Sequence, residues 1–141
     1  MRALPILLAA CTAVAAAPAQ AATPGVFWDC ASIRPQPALV DLNCQHADAY
    51  LTSLAWSGRR ARGSFNYPNY SASDGTGLMT LPARVTVSRA RTLAGTTAYT
   101  RLTVTLWGKR RDRDGLSRRL RYVLTCDLGQ GWVPARVARP C

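Results

Sequence analysis

The sequence predicts a small, exported, mainly β domain: an antiparallel β sandwich or open barrel held by two disulfides. Three observations support this. The chain begins with an export signal, an even number of cysteines follows it, and the clearest periodic segments alternate apolar and polar residues as strands do. The composition agrees, because the cations are almost all arginine and every acidic residue is aspartate, whereas helix surfaces favour lysine and glutamate.

Residues 1–21 have the pattern of a secretory signal peptide. Arg2 supplies the positive start, residues 4–17 the apolar run, and Ala19-Gln20-Ala21 the small-residue cleavage site. We therefore expect a single secreted domain at residues 22–141, a soluble monomer. Lipid attachment at Cys11 is a less favoured alternative, because only residues 1–10 would precede that cysteine.

The cysteines after the signal predict two disulfides. They are Cys30, Cys44, Cys126 and Cys141. Three pairings are open in principle, and clustering favours Cys30 with Cys44 and Cys126 with Cys141, each closing a loop of about fifteen residues. The close cysteine pairs typical of zinc sites do not occur, so neither a metal nor a cofactor is expected.

The first half of the mature chain contains short strand signals and one ambiguous segment. Residues 22–37 are rich in proline and should be irregular, apart from a short strand at 26–28. Residues 38–44 predict a second short strand. The apolar residues of 47–56 have helical spacing, so one short helix fits there, and a strand through 50–56 fits almost as well.

Glycine and proline predict a long surface loop over residues 62–82. Asn69-Tyr70-Ser71 within it matches a glycosylation sequon, which we attribute to chance because the alanine-rich signal is of a bacterial type. Residues 85–89 alternate cleanly and predict a strand.

The strongest structural signal is a hairpin between residues 100–107 and 119–126, since each arm has one apolar face. A three-residue loop, Arg113-Asp114-Gly115, would place Leu106 opposite Tyr122 and Val104 opposite Leu124, with both apolar rows on one side of the sheet.

The same register would set Trp107 across from Arg121, where a cation–π contact is expected.

Positive charge is concentrated near the end of this hairpin. The whole chain has a formal net charge of +11, and like charges that meet across strands repel each other unless an anion binds. The basic tip is therefore the candidate anion-binding site, and a solvated cluster that aids solubility is the plainer alternative. Its residues are Lys109, Arg110, Arg111, Arg113, Arg118, Arg119, Arg121 and Trp107.

Catalytic patterns are weak. His46 is the only histidine, and no nucleophile elbow accompanies it, so a hydrolase would have to combine His46 with an aspartate such as Asp41 or Asp48. Residues 112–115 lack most ligand positions of a calcium loop, and a hairpin turn explains them better. No catalytic residue is assigned.

Several short motifs resemble a group of small exported actinobacterial proteins without assigned activity. They are Phe27-Trp28-Asp29-Cys30, Leu42-Asn43-Cys44, the segment 49–57 and the segment 100–105. The resemblance implies export and a compact disulfide-bonded β domain, and it transfers no catalytic residue. Relatives often carry further cysteines in the middle region, which has none here.

Together these features favour a non-enzymatic, exported binding or cell-surface interaction module. The expected partner is an anionic envelope polymer or membrane surface, with nucleic acid a weaker candidate. The alternatives are an inhibitor of a secreted hydrolase and a small hydrolase that uses His46.

Overall fold

Segments that alternate apolar and polar side chains form most of the structure. It is a computed structural model that describes residues 23–45, 49–68, 77–113, 115–126, 128–139 and 141. In these ranges the strands are β1 (Val26–Phe27), β2 (Ile33–Arg34), β3 (Val40–Asp41), β4 (Tyr50–Ser57), β5 (Arg60–Pro68), β6 (Leu78–Leu93), β7 (Thr96–Leu106), β8 (Arg119–Leu124) and β9 (Trp132–Pro134).

Strands β3 to β9 pair in chain order as one antiparallel sheet, nearly closed into a barrel, and β1 and β2 form a separate hairpin. The predicted mainly β class is confirmed, in its open-barrel form. Short 3₁₀ helices occur at Arg111–Arg113 and Leu128–Gln130. Within the described residues, no helix is long and apolar enough to cross a membrane.

The inner face of the sheet forms the core. Even-numbered residues of β7 pack inward opposite odd-numbered residues of β6, as in the pairs Leu102 with Val87 and Val104 with Val85. This alternation follows from the two-residue repeat of a strand, which sends successive side chains to opposite faces. The outer face is consequently left to arginine and threonine.

The β1 segment closes the barrel between its first and last strands. Gly25 exchanges backbone hydrogen bonds of 3.0 and 2.9 Å with β7. Asp41 of β3 donates its backbone N–H to the Trp28 carbonyl at 2.7 Å. The buried Trp132 indole of β9 donates to the Phe27 carbonyl at 2.8 Å. Residues 25–28 thereby join both sides of the opening.

Both predicted disulfides are present. Cys30 is bonded to Cys44, with their Cα atoms 5.4 Å apart, and Cys126 is bonded to Cys141, with a Cα separation of 4.8 Å. The first ties the β1–β2 turn to the segment after β3, and the second ties the C-terminus to the end of β8.

The helix considered for residues 47–56 is wrong where the structure describes that segment, because 50–57 form strand β4. A bulge between Thr52 and Ala55 shifts the register, with Ser53 at a φ of 54°. Leu51 and Leu54 are both buried as a result. A bulge inserts one extra residue into the two-residue repeat of a strand. Two successive inward-facing side chains are then three residues apart in the sequence, as they are on one face of a helix.

The long loop predicted for residues 62–82 is also wrong over most of its length. Residues 60–68 form β5 and residues 78–93 form β6, and the sequon at Asn69 lies outside the described residues. The Pro82 carbonyl accepts a hydrogen bond from the Trp107 N–H, one residue past the end of β7. Because the nitrogen and carbonyl of one strand residue point to the same side, the Pro82 nitrogen also faces this side. A proline is tolerated there because no neighbouring strand needs its missing N–H.

Glycine is required in β5 at residue 63. A Cβ atom on Gly63 would lie 2.5 Å from the Thr52 carbonyl oxygen beside the bulge. The glycine that predicted a turn is therefore a strand residue at a close approach of two backbones.

The predicted hairpin register is wrong by an even number of residues. Leu102, not Leu106, is opposite Tyr122, and Val104 is opposite Leu120. The connection spans residues 107–118 instead of three residues, and Asp114 lies outside the described part. Because the shift is even, the prediction that both apolar rows share one face still holds.

Candidate anion-binding surface

The basic tip does not form as one cluster. Arg113 is buried, with 8% of its surface exposed, and it donates hydrogen bonds to the carbonyls of Gly108, at 3.2 Å, and Leu116. Its guanidinium organises the loop and is withdrawn from solvent. The loop cations Lys109, Arg110, Arg111 and Arg118 are exposed.

Arg111 has the one ion pair recorded among the described residues, to Asp112 at 3.6 Å, and both side chains are mostly exposed. A pair of this kind contributes little to stability.

The sheet instead assembles arginines from three strands on its outer face. Arg62 of β5 is directly opposite Arg84 of β6, which is opposite Thr105 of β7, which is opposite Arg119 of β8. The neighbouring row runs from Arg60 through Thr86 and Thr103 to Arg121. We call this surface the arginine face; its cations are Arg60, Arg62, Arg84, Arg119 and Arg121, all exposed.

Among the described residues, no acidic side chain balances the arginine face. Strands β4 to β8 contain no aspartate or glutamate. Within the described ranges, no carboxylate lies within ion-pair distance of these five arginines. Directly opposed like charges such as Arg62 and Arg84 weaken strand pairing, so this arrangement concentrates positive potential that no described carboxylate offsets.

Trp107 lies beside the arginine face. The Arg84 guanidinium is 5.2 Å from the centre of its ring, and the side chain is 38% exposed. The expected contact with Arg121 is wrong, since Arg121 is opposite Thr103 and Trp107 follows the end of β7. A shallow depression of about 290 Å³ lies next to this contact, between Arg60, Arg62 and Arg84.

A larger groove of about 790 Å³ lies in the barrel wall beside β8. Phe65 and Tyr67 of β5 line one side and Leu120 and Tyr122 of β8 another, with Arg119, Arg121 and Arg136 also in its lining. Burial raises the pKa of the Tyr122 hydroxyl to about 12, with a further increase from nearby Tyr67 and a partial reversal by Arg136. Tyr122 is therefore protonated at neutral pH.

Only part of the arginine face belongs to the predicted basic tip. Arg119 and Arg121 were included in that tip, whereas Arg60 and Arg62 lie in a separate basic run with Arg59. Arg84 and Arg136 are isolated in the sequence and were missed. The signal for Arg84 was available in the alternation of residues 84–87, which gives Arg84 the outer face once Val85 and Val87 are buried.

The catalytic alternative gains no support from the described residues. His46 and Asp48 lie outside them. Burial raises the pKa of Asp41, and the charge of Asp29 raises it further. Within the described ranges, no group of three or more histidine, cysteine or acidic side chains could hold a metal ion.

No protein family model, curated protein or solved structure matches this chain.

Proposed function

We propose that this protein is an exported binding module that holds an anionic polymer against the arginine face. The observation that carries the proposal is the cross-strand row that contains Arg62 of β5, Arg84 of β6 and Arg119 of β8, three cations without an acidic partner among the described residues. Guanidinium groups match phosphate and carboxylate oxygens in two-point hydrogen bonds. The two disulfides are consistent with an extracellular location.

The spacing of the cations favours a polymer over a single small anion. Arg60 and Arg62 are two residues apart on one strand, or about 7 Å, and Arg84 and Arg119 are two strand spacings apart, or about 10 Å. One small anion cannot contact all five guanidiniums at these separations. A chain of phosphate or other anionic groups can contact several at once and relieve their mutual repulsion.

The loop after β7 extends this surface. It begins at Trp107, next to the row that contains Thr105, and carries the exposed Lys109, Arg110 and Arg111. Trp107 offers a ring for stacking or for further cation–π contact. The arginine face is thus the centre of the proposed site, and the loop is its margin.

The test is the salt dependence of binding to oligothymidylate, a simple phosphodiester polymer. Each phosphate contact to a single strand adds about −0.7 to the slope of log affinity against log salt. We expect R60Q/R62Q/R84Q to lose at least tenfold in affinity and to reduce the slope by about 2. The matched control R89Q/R91Q/R139Q removes the same charge from exposed positions that lie outside the arginine face.

Equal losses in the two triple variants would contradict the proposal, because they would show that net charge alone governs binding. Absence of binding to oligothymidylate, to inorganic polyphosphate and to anionic vesicles would contradict it as well. Preference among these three probes identifies the class of anionic partner.

A further inference from the structure

The groove beside β8 exists because the barrel is incompletely closed. Strand β9 has only three residues and pairs with Tyr122 to Leu124. Among the described residues, no strand pairs with the earlier part of β8 on that side. Across the gap lie Ala49, Phe65 and Tyr67, and the space between has a volume of about 790 Å³.

The floor of the groove is apolar and aromatic. Phe65 and Tyr67 are nearly parallel, with ring centres 6.2 Å apart and planes 12° from each other. Leu120 and Tyr122 face them from the inner side of β8, and Leu116 completes the apolar lining. Apolar walls of this kind favour an apolar body, and the volume lies in the range of small-molecule sites.

The groove is bordered by positive charge. Arg136 brings its positive charge near the Tyr122 hydroxyl, and Arg119 and Arg121 border the groove from the outer face of β8. Among the described residues, no acidic side chain lines the groove. Backbone direction adds a further donor. The Arg118 carbonyl accepts from Leu106 of β7, and the Arg121 carbonyl accepts from Ala135 on the opposite side. Because the N–H and C=O of one strand residue point to the same side and this side alternates along the strand, both backbone groups of Arg119 face the groove, and its N–H is the donor.

We propose that this groove binds a small amphipathic anion, an apolar or aromatic body that carries one phosphate, sulfonate or carboxylate group. The body lies on Tyr67 and Leu120, with the buried Phe65 beneath them, and the anionic group lies toward Arg136 and the β8 edge. The protonated Tyr122 hydroxyl is an additional donor to an anionic oxygen. This site is separate from the arginine face, although Arg119 and Arg121 border both.

The test compares two probes that share one aromatic body. 8-Anilinonaphthalene-1-sulfonate carries a sulfonate, and N-phenyl-1-naphthylamine is the same body without it. We expect the sulfonate probe to bind at one saturable site, at least tenfold more tightly than the neutral probe, since the difference reports a charge-assisted hydrogen bond.

Three variants locate the site. A135F places a larger side chain in the groove without removing charge and should abolish binding of both probes. R136Q should weaken the sulfonate probe about tenfold and leave the neutral probe unchanged. R139Q is the matched control, because it removes the same charge from the same segment outside the groove lining, and it should bind both probes normally.

Three results would overturn this assignment: unchanged sulfonate binding in A135F, equal affinity for the two probes, or equal effects of R136Q and R139Q. Binding without saturation would do so too, because it indicates general apolar exposure. Displacement of the bound probe by dodecyl phosphate or by dodecanoate distinguishes a phosphate from a carboxylate ligand, and displacement by neither contradicts the proposal.

The outcome is independent of the proposed function. R60Q/R62Q/R84Q leaves the groove lining intact and should keep probe binding, whereas A135F leaves the arginine face intact and should keep polymer binding.

Discussion

Arg113 is expected to be a structural residue of the loop between β7 and β8, and R113Q tests this directly. The side chain is 8% exposed and donates to the carbonyls of Gly108 and Leu116. A hydrogen bond from a charged donor contributes about 1.5–3 kcal/mol. Two such bonds would sum to about 3–6 kcal/mol. Since the freed carbonyls of a surface loop can regain water, we expect a smaller loss of about 2–3 kcal/mol.

The control is R111Q, two positions earlier in the same loop. The Arg111 side chain is 79% exposed, and its contact with Asp112 is 3.6 Å long. An exposed pair contributes about 0–1 kcal/mol, so R111Q should leave the free energy of unfolding nearly unchanged. Both variants remove one positive charge.

Urea unfolding followed by tryptophan fluorescence measures the difference. For a domain of this size, a loss of about 2–3 kcal/mol lowers the unfolding midpoint by about 1–2 M. Equal midpoints for R113Q and R111Q would refute the reasoning, because Arg113 would then be one more free cation available to a ligand.

Three further predictions concern the barrel. G63A should lower the free energy of unfolding by about 1–3 kcal/mol, because the new Cβ would lie 2.5 Å from the Thr52 carbonyl oxygen; urea unfolding measures the change. W132F removes the 2.8 Å hydrogen bond to the buried Phe27 carbonyl and leaves that carbonyl without its donor. The lost bond alone should lower the free energy of unfolding by about 1–3 kcal/mol in the same urea assay. The pKa of Tyr122 is about 12 in the folded protein, against 10 in the unfolded chain. The unfolded state therefore releases its proton first as pH rises, and about 2–3 kcal/mol of stability should be lost between pH 10 and 12. Y122F should lack this loss when unfolding is measured across that range, and an identical loss in Y122F would contradict the assignment.

Local patterns predicted the parts of the fold that depend on local geometry. Cysteine clustering gave the correct disulfides, and alternation placed the apolar rows of β7 and β8 on one face. The predicted register was wrong because a long loop connects β7 and β8 in place of a three-residue turn. The Arg113 side-chain bonds within that loop are not visible in the Asp-Gly turn signal. The helix-like spacing of Leu51 and Leu54 came from a bulge, which is a tertiary feature.

The sequence predicted the chemistry of the candidate site but not its position in the fold. An excess of arginine indicated an anionic partner, but the cluster along the chain is not the cluster in space. Arg84 is far in sequence from Arg62 and Arg119, and only the pairing of β5, β6, β7 and β8 brings the three into one row. Strand order and register, which no single segment determines, thus define the arginine face.

The most direct test of that face is an NMR titration of the labelled protein with oligothymidylate, observing the arginine Nε–Hε signals. The account predicts that the signals of Arg60, Arg62, Arg84, Arg119 and Arg121 shift together, while those of Arg89 and Arg91 on the distal part of β6 do not. Shifts confined to the loop arginines Arg110 and Arg111, or shared equally by Arg89 and Arg91, would contradict it.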